Sequence, residues 1–112
     1  MAYNEELAYR IAHSLMLFKE EFTHKKMFGG MAYLYKGKMT VGIVGDELCV
    51  RVIDKKCKLL LQNDIHTREM NFTGKVMKEF LFVNEEGSKT EEQLMNWIEL
   101  GLEHAKTKLK EV

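Results

Sequence analysis

Apolar side chains at Leu7, Ile11, Leu15, Phe18 and Phe22 recur at steps of four and three, which places them on one stripe of a helix. Asn4 precedes the stripe and can cap it, and Glu5 and Glu6 suit the positive end of the helix dipole. The spacing predicts a helix over 4–23, with Glu6 and Arg10 paired one turn apart on its exposed side. The period then falls from about 3.6 to two. Strands are expected over 31–36, 38–44 and 47–52: Met39, Val41 and Ile43 alternate with Thr40 and Gly42, and Leu48, Val50 and Val52 alternate with Cys49 and Arg51. Gly37 supplies the first turn and Gly45-Asp46 the second, so the three strands form an antiparallel meander.

Asp54 sits where a helix cap is expected, Cys57, Leu60 and Leu61 give a short helix one apolar edge, and Asn63 can end it in the left-handed conformation. Two further strands, 68–72 and 78–83, join around Thr73-Gly74. In the second of them Phe80 and Phe82 share one face while Leu81 and Val83 share the other, so it is covered on both faces or lies at an interface. Residues 85–88 read as a tolerant surface turn containing Gly87. A last helix follows, with Thr90 and Gln93, or Ser88 and Glu91, fitting a capping box, and with Leu94, Trp97, Ile98, Gly101, Ala105 and Leu109 on its buried side. The order α-β(3)-α-β(2)-α predicts an α+β fold of two layers, a mostly antiparallel five-stranded sheet with helices on one face.

A chain of 112 residues suits one domain with a self-sufficient core. Its 17 basic and 17 acidic residues balance, which argues against electrostatic binding of nucleic acid, although Lys25, Lys26, Lys36 and Lys38 could seed a local patch. No stretch approaches the ~18 apolar residues of a membrane span, the N-terminus does not read as a signal peptide, and a cytoplasmic location is expected. Cys49 and Cys57 read as free buried thiols. Eight methionines suit either an irregular core or an adaptable contact surface.

Little in the chain carries chemistry. Gly37-Lys38-Met39-Thr40 lacks the upstream glycine of a phosphate loop and leads into a strand rather than a helix. Cys49 has no histidine that the sequence places beside it and reads as a packed thiol. His13, His24, His66 and His104 show no metal-ligand spacing, and His13 and His104 fall off their helices' apolar stripes, so solvated histidines are expected. No catalytic residue, metal site or cofactor is expected. Met27-Phe28-Gly29-Gly30 reads first as a helix-to-sheet corner whose glycines answer a backbone need, and second as a contact surface beside an aromatic anchor.

These last residues also carry a family resemblance. Lys26-Met27-Phe28-Gly29-Gly30, followed by Tyr33, Gly37 and Met39, resembles the opening motif of the TfoX (Sxy) N-terminal domain. Val41-Gly42-Ile43-Val44, Asp46 and Leu48-Cys49-Val50-Arg51-Val52 extend the likeness. Met70-Asn71-Phe72-Thr73-Gly74, with Met77, Lys78 and Phe80, resembles the second signature, and Trp97, Ile98 and Ala105 are similar to its last helix. Val76 stands where many relatives have proline, Glu79 where many have glycine, and Lys26 where arginine is frequent. Larger members add a C-terminal helical domain, so residues 1–112 are expected to form a single TfoX N-terminal-like domain. The resemblance implies a fold similar to secretion-chaperone-like domains and a link to natural competence, in which full-length members co-regulate transcription. It brings no catalytic residues. Met27, Phe28, Gly29, Gly30, Phe72, Gly74, Met77 and Lys78 become the candidate interaction or structural motif. The expected function is a regulatory module with a protein partner, such as transcription machinery, and with a homodimer as a further expectation. The alternatives are an enzyme or small-molecule-binding domain whose pocket is invisible in sequence, and a weak DNA-binding domain.

Overall fold

The computed structural model describes residues 3–27, 29–72 and 75–110, and the side chains of 70–77 are outside that description. Helix α1 (Glu5–Leu15) starts as its sequence dictates: the Asn4 side-chain oxygen accepts from the Leu7 amide at 3.0 Å, and Leu7, Ile11 and Leu15 are buried. It ends eight residues before the predicted boundary, because Thr23–Met27 form a strand, β1, hydrogen-bonded to the next one. Phe18 and Phe22 continue the apolar stripe without the helix. They pack on the core from an irregular segment, with ring centroids 6.1 Å apart in an edge-to-face arrangement. Periodicity there reported burial rather than helical backbone. Arg10 does not pair with Glu6. It reaches the start of the last helix, where it meets Glu91 at 3.2 Å and the Ser88 and Lys89 carbonyls.

The predicted meander is present as β2 (Gly30–Tyr35), β3 (Lys38–Val44) and β4 (Glu47–Arg51). Helix α2 (Asp54–Asn63) leads to the hairpin β5 (Thr67–Phe72) and β6 (Lys75–Val83), and a short 3-10 turn (Glu85–Ser88) leads to α3 (Glu91–Lys110). The six strands form one antiparallel sheet in the order β1-β2-β3-β4-β6-β5. The expected five strands are its body, and β1 is an added edge. All three helices lie on one face. The Tyr33 hydroxyl on β2 donates to the Ala8 carbonyl of α1, α3 lies across β3 and β4, and Thr67 at the start of β5 donates to the Leu60 carbonyl of α2. Between the layers, Val41, Ile43, Leu48, Val50, Leu81 and Val83 meet Leu94, Trp97 and Ile98.

Alternation puts Cys49, Phe80 and Phe82 on the opposite face, where they form a second buried cluster with Met39 and Val44 against it. The sheet's own arginines roof this face. The Arg51 guanidinium carbon lies 4.1 Å from the centre of the Phe80 ring, and that of Arg68 lies 4.4 Å from Phe82. Arg68 is held in turn by an ion pair to Glu47.

Local signals at α2 and the final turn resolve differently from expectation. Asp54 lies inside α2 rather than capping it, and pairs with Lys58 one turn on at 3.1 Å. The helix ends at Asp64 in extended backbone, and the Asn63 amide donates back to the Leu59 carbonyl. At α3 the capping box is Thr90 with Gln93, each side chain bonded to the other's backbone amide at 3.1 and 2.9 Å. Gly87 is not in a tolerant turn. It is buried, its carbonyl accepts from the Trp97 indole at 2.8 Å, and a Cβ there would sit 2.6 Å from that of His66.

Gly30 is the tightest backbone approach at the β1–β2 end of the sheet. A side-chain carbon on it would be driven into the Ile43 carbonyl across β2 and β3, where only backbone could yield, whereas Gly29 beside it has φ +74 and open space. Gly30→Ala is expected to cost about 2 kcal/mol or more and Gly29→Ala about 1 kcal/mol. Denaturant midpoints of the two variants check this order, and equal midpoints contradict it.

Candidate functional site

The structure separates the two sequence signatures. Met27, Gly29 and Gly30 lie at the β1–β2 turn, while Phe72 and Lys75 flank the β5–β6 turn. Strands β1 and β5 are opposite edges of the sheet, five strand spacings or roughly 24 Å apart. The register also sets the turns at opposite ends: Met31 pairs with Ile43, Ile43 with Leu48 and Leu48 with Val83, so the first turn is level with the end of β6 and not its beginning. The first motif is therefore a hairpin turn instead of a helix-to-sheet corner. Lys78 is exposed on β6. Phe28 and Gly74 lie outside the described residues, as do the side chains of Phe72 and Met77.

A polar cluster that sequence reasoning missed closes the other end of the sheet. His104 on α3 is buried, with 4% of its side chain exposed, and not solvated as its position off the stripe implied. Its Nε2 lies 3.2 Å from Arg51 Nη2 on β4 and 3.2 Å from Glu79 Oε1 on β6. Glu79 also meets Lys108 at 3.4 Å and Arg51 at 3.7 Å. A single neutral imidazole nitrogen can accept from Arg51 or donate to Glu79, but not both. Protonation fixes the bond to Glu79 and at the same time sets a cation against Arg51.

The backbone of Glu79 gives the cluster its cost. Its φ is +64, a left-handed conformation disfavoured for a side-chain-bearing residue by about 1–2 kcal/mol. The conformation turns the Glu79 carbonyl to accept from the Val52 amide at 3.1 Å, continuing the β4–β6 ladder where the chain leaves for α2. Glycine meets that demand freely. Here the glutamate is held by two cations, Arg51 and Lys108, and by the His104 imidazole. The one signal that could have exposed the site is Glu79 standing where many relatives carry glycine.

Burial pushes the His104 imidazole below its ordinary value, against the Glu79 bond that raises it, and Arg51 and Lys108 lower it further. Burial raises the Glu79 carboxyl, but the His104 bond and the charges of His104 and Lys108 outweigh it and hold the group below the usual carboxylate range. Arg51 Nε and His104 Nδ1 are both buried without a hydrogen-bond partner.

Cys49 is completely buried, and that burial pushes its thiol up to about 12, against a smaller opposing effect of Arg51. It is not poised as a nucleophile at neutral pH. Among the described residues, no three of His, Cys, Asp and Glu gather closely enough to hold a metal ion, and no helix is long and apolar enough to cross a membrane. Two open grooves adjoin the segment between α1 and β1. One, of about 500 Å³, is lined by Leu15, Met16, Phe18, Phe22, His24 and Tyr33. The other, of about 590 Å³, contains Tyr35, Lys36 and Lys106, with Lys106 bound to Glu20 at 2.6 Å.

Fold and site together define a small α+β domain with one helical layer on an antiparallel sheet, carrying a structural charge cluster. The chain belongs to the TfoX N-terminal domain family, whose profile matches residues 15–105. No curated protein matches the chain closely enough to report.

Two consequences are measurable. A histidine with a lowered folded-state pKa binds its proton more readily in the unfolded chain, so its contribution to stability is full above the ordinary value near 6.5 and is lost as pH falls from there towards the folded value. His104→Gln removes that titration. The fall in melting temperature between about pH 7.5 and pH 5.5 is expected to shrink by half or more in the variant, and an equal fall in both proteins contradicts the assignment. The folded wild-type chain is also expected to leave Cys49 unalkylated by iodoacetamide at about pH 7.5, with modification appearing only as denaturant unfolds it. Fast labelling of the folded state revives a nucleophilic reading.

Proposed function

We propose that this chain is a regulatory module that works by binding a protein, as a competence-linked co-regulator of transcription. The observation that carries the reading is its membership of the TfoX N-terminal family over residues 15–105, a family not known for enzymes. The architecture is compatible with it. The titratable cluster is a packed structural feature, the buried thiols are unreactive by environment, and the grooves beside β1 are open surfaces rather than enclosed pockets. A cytoplasmic setting accords with Cys49 and Cys57 as buried thiols outside any disulfide.

Direct duplex recognition is the less favoured route to transcription. Formal charge sums to zero, so a cationic face leaves an acidic one elsewhere. The long helix α3 has its apolar side committed to the sheet, and among the described residues no helix pair projects a second helix for groove entry. The doubly apolar strand β6 is the feature that points to a homodimer. Phe80 and Phe82 are already covered by Arg51 and Arg68, so that strand no longer requires a second copy.

The test has two arms in the native cell and one in solution. Deleting the gene is expected to change transcripts of the DNA-uptake apparatus, and restoring the intact chain is expected to recover them. Purified protein is expected to show no saturable, sequence-dependent binding to duplex fragments of the affected promoters at about 150 mM salt. Unchanged transcripts contradict the regulatory reading, and nanomolar, sequence-dependent duplex binding replaces the protein partner with DNA.

A further inference from the structure

The two edges of the sheet are treated differently. Edge β5 is guarded: its pairing with β6 shifts register between Glu69 and Asn71, α2 packs beside it, and Arg68 and Glu69 present both charge signs. Edge β1 lacks the register shift and the mixed charge signs: its charged side chains are Lys25 and Lys26, of one sign. Its register with β2 runs without a shift from Thr23↔Leu34 to Met27↔Gly30, it pairs with no other described strand, and Thr23 to Lys26 are all exposed. Alternate residues of such an edge turn their amide and carbonyl groups outward, unpaired.

The side chains on this edge set the terms for a partner. Lys26 pairs with Met31, on the helix-covered face shared by Tyr33, while Lys25 pairs with Ala32 and points to the other face. One lysine therefore flanks the open edge on each side. A second copy is disfavoured here, because antiparallel pairing of two β1 strands about Lys25 brings Lys25 against Lys25 and His24 against Lys26. An acidic strand meets the opposite situation. On the helix side the edge also borders the apolar groove of about 500 Å³, with Met16 on its lining 80% exposed and Leu17 beside it 70% exposed. Of the groove's two glutamates, Glu20 is paired with Lys106 and Glu21 is matched in number by Lys19, so Lys25 and Lys26 leave the local balance in favour of an anionic ligand.

We propose that β1 is a docking edge that accepts an extended acidic segment of a partner protein as a seventh strand, with adjacent carboxylates opposite Lys25 and Lys26 and an apolar side chain entering the groove beside His24. Main-chain pairing supplies the affinity, and the two lysines and the groove supply the choice of partner. The inference rests on the regulatory, protein-binding reading above and identifies its surface.

The test is a titration of the isotope-labelled full chain with synthetic peptides of about nine residues. The probe carries two adjacent glutamates followed by leucine among threonines and valines. One control replaces the glutamates by lysines, and another methylates alternate backbone nitrogens. The acidic probe is expected to shift and protect the amides of Thr23–Met27, with at least tenfold weaker binding by both controls. The variant carrying Lys25→Glu and Lys26→Glu, two exposed positions, is expected to reverse the preference towards the lysine probe while keeping the remaining amide spectrum. That reversal distinguishes lost charge from lost fold. Amides of β1 that stay unmoved by the acidic probe up to about 1 mM, equal binding of the methylated probe, or shifts that map to β5 overturn the proposal. Such a failure, with transcripts still responding to deletion, removes this surface and leaves the regulatory reading standing.

Discussion

The seating of α3 on β3 is the constraint from which the rest of the architecture follows. A Cβ at Gly101 would collide with the Thr40 carbonyl, and the atoms nearest to it are backbone, which cannot rotate away. Helix and strand therefore touch main chain to main chain at this point, with a closeness that no larger residue permits. Thr40 completes the contact from below, where its hydroxyl donates to the Tyr33 carbonyl at 2.9 Å across the irregularity in the β2–β3 ladder. With α3 held against the middle of the sheet, α1 and α2 take the flanks. Arg10 and Ser14 tie α1 to Glu91, and Lys56 ties α2 to Glu103 through both carboxylate oxygens at 2.9 Å.

Close seating also explains why the C-terminal half of α3 is buried over a wider arc than its apolar stripe. Leu102 and His104 join Gly101 and Ala105 among the buried residues. Once the helix lies this low, His104 beside the stripe meets Arg51 at the end of β4 and Glu79 in the middle of β6. Lys106 leans the other way, towards Glu20 and to within 5.9 Å of the centre of the Tyr35 ring. The last turns of α3 are fastened by charge on both sides after the apolar contacts thin out.

Much of the fold was legible because the apolar positions agree with the local signals. The period-two alternation through Val41 to Val52, the turns at Gly37 and Gly45, the Asn4 cap and the Thr90–Gln93 box each appear where the residues call for them. Met39 departs from the alternation: the register shift between β2 and β3 turns it away from Val41 and Ile43, onto the face of Cys49 and Phe82. What was not legible shares one cause, dependence on distant partners. The sequence THKKM has no apolar alternation, and it forms β1 only because β2 offers it a ladder. Phe18 and Phe22 satisfy the spacing of a helix while packing from irregular backbone, since burial and helicity give the same pattern over two turns. His104 looked solvated on a helical wheel, which takes no account of Arg51 and Glu79 arriving from two strands. Of the candidate motif, Gly30 was legible as a close backbone approach, but the wide separation of its turn from the one after Phe72 needed the strand order.

Glu79 shows how a local violation is absorbed. Its left-handed backbone is required by the exit of the chain into α2, because only that conformation aims its carbonyl at the Val52 amide while Phe80 stays paired with Arg51. The requirement belongs to the position, not to the residue. A glycine there would satisfy it silently and leave Arg51, His104 and Lys108 as three basic groups with no anion among them. The glutamate supplies that anion at the site where its own backbone is least comfortable, so the strain and the ion cluster are one feature rather than two. Its stabilising effect depends on charge in a way that the rest of the core does not. The apolar interface between helices and sheet is indifferent to pH, whereas this corner weakens when His104 gains a proton against Arg51 and again when Glu79 loses its charge in stronger acid. The buried part of the acid sensitivity thus lies where β4, β6 and the end of α3 meet, while the carboxyl of Glu20, held below its ordinary value by its bond to Lys106, is a separate response beside β1, across β2 and β3 from it.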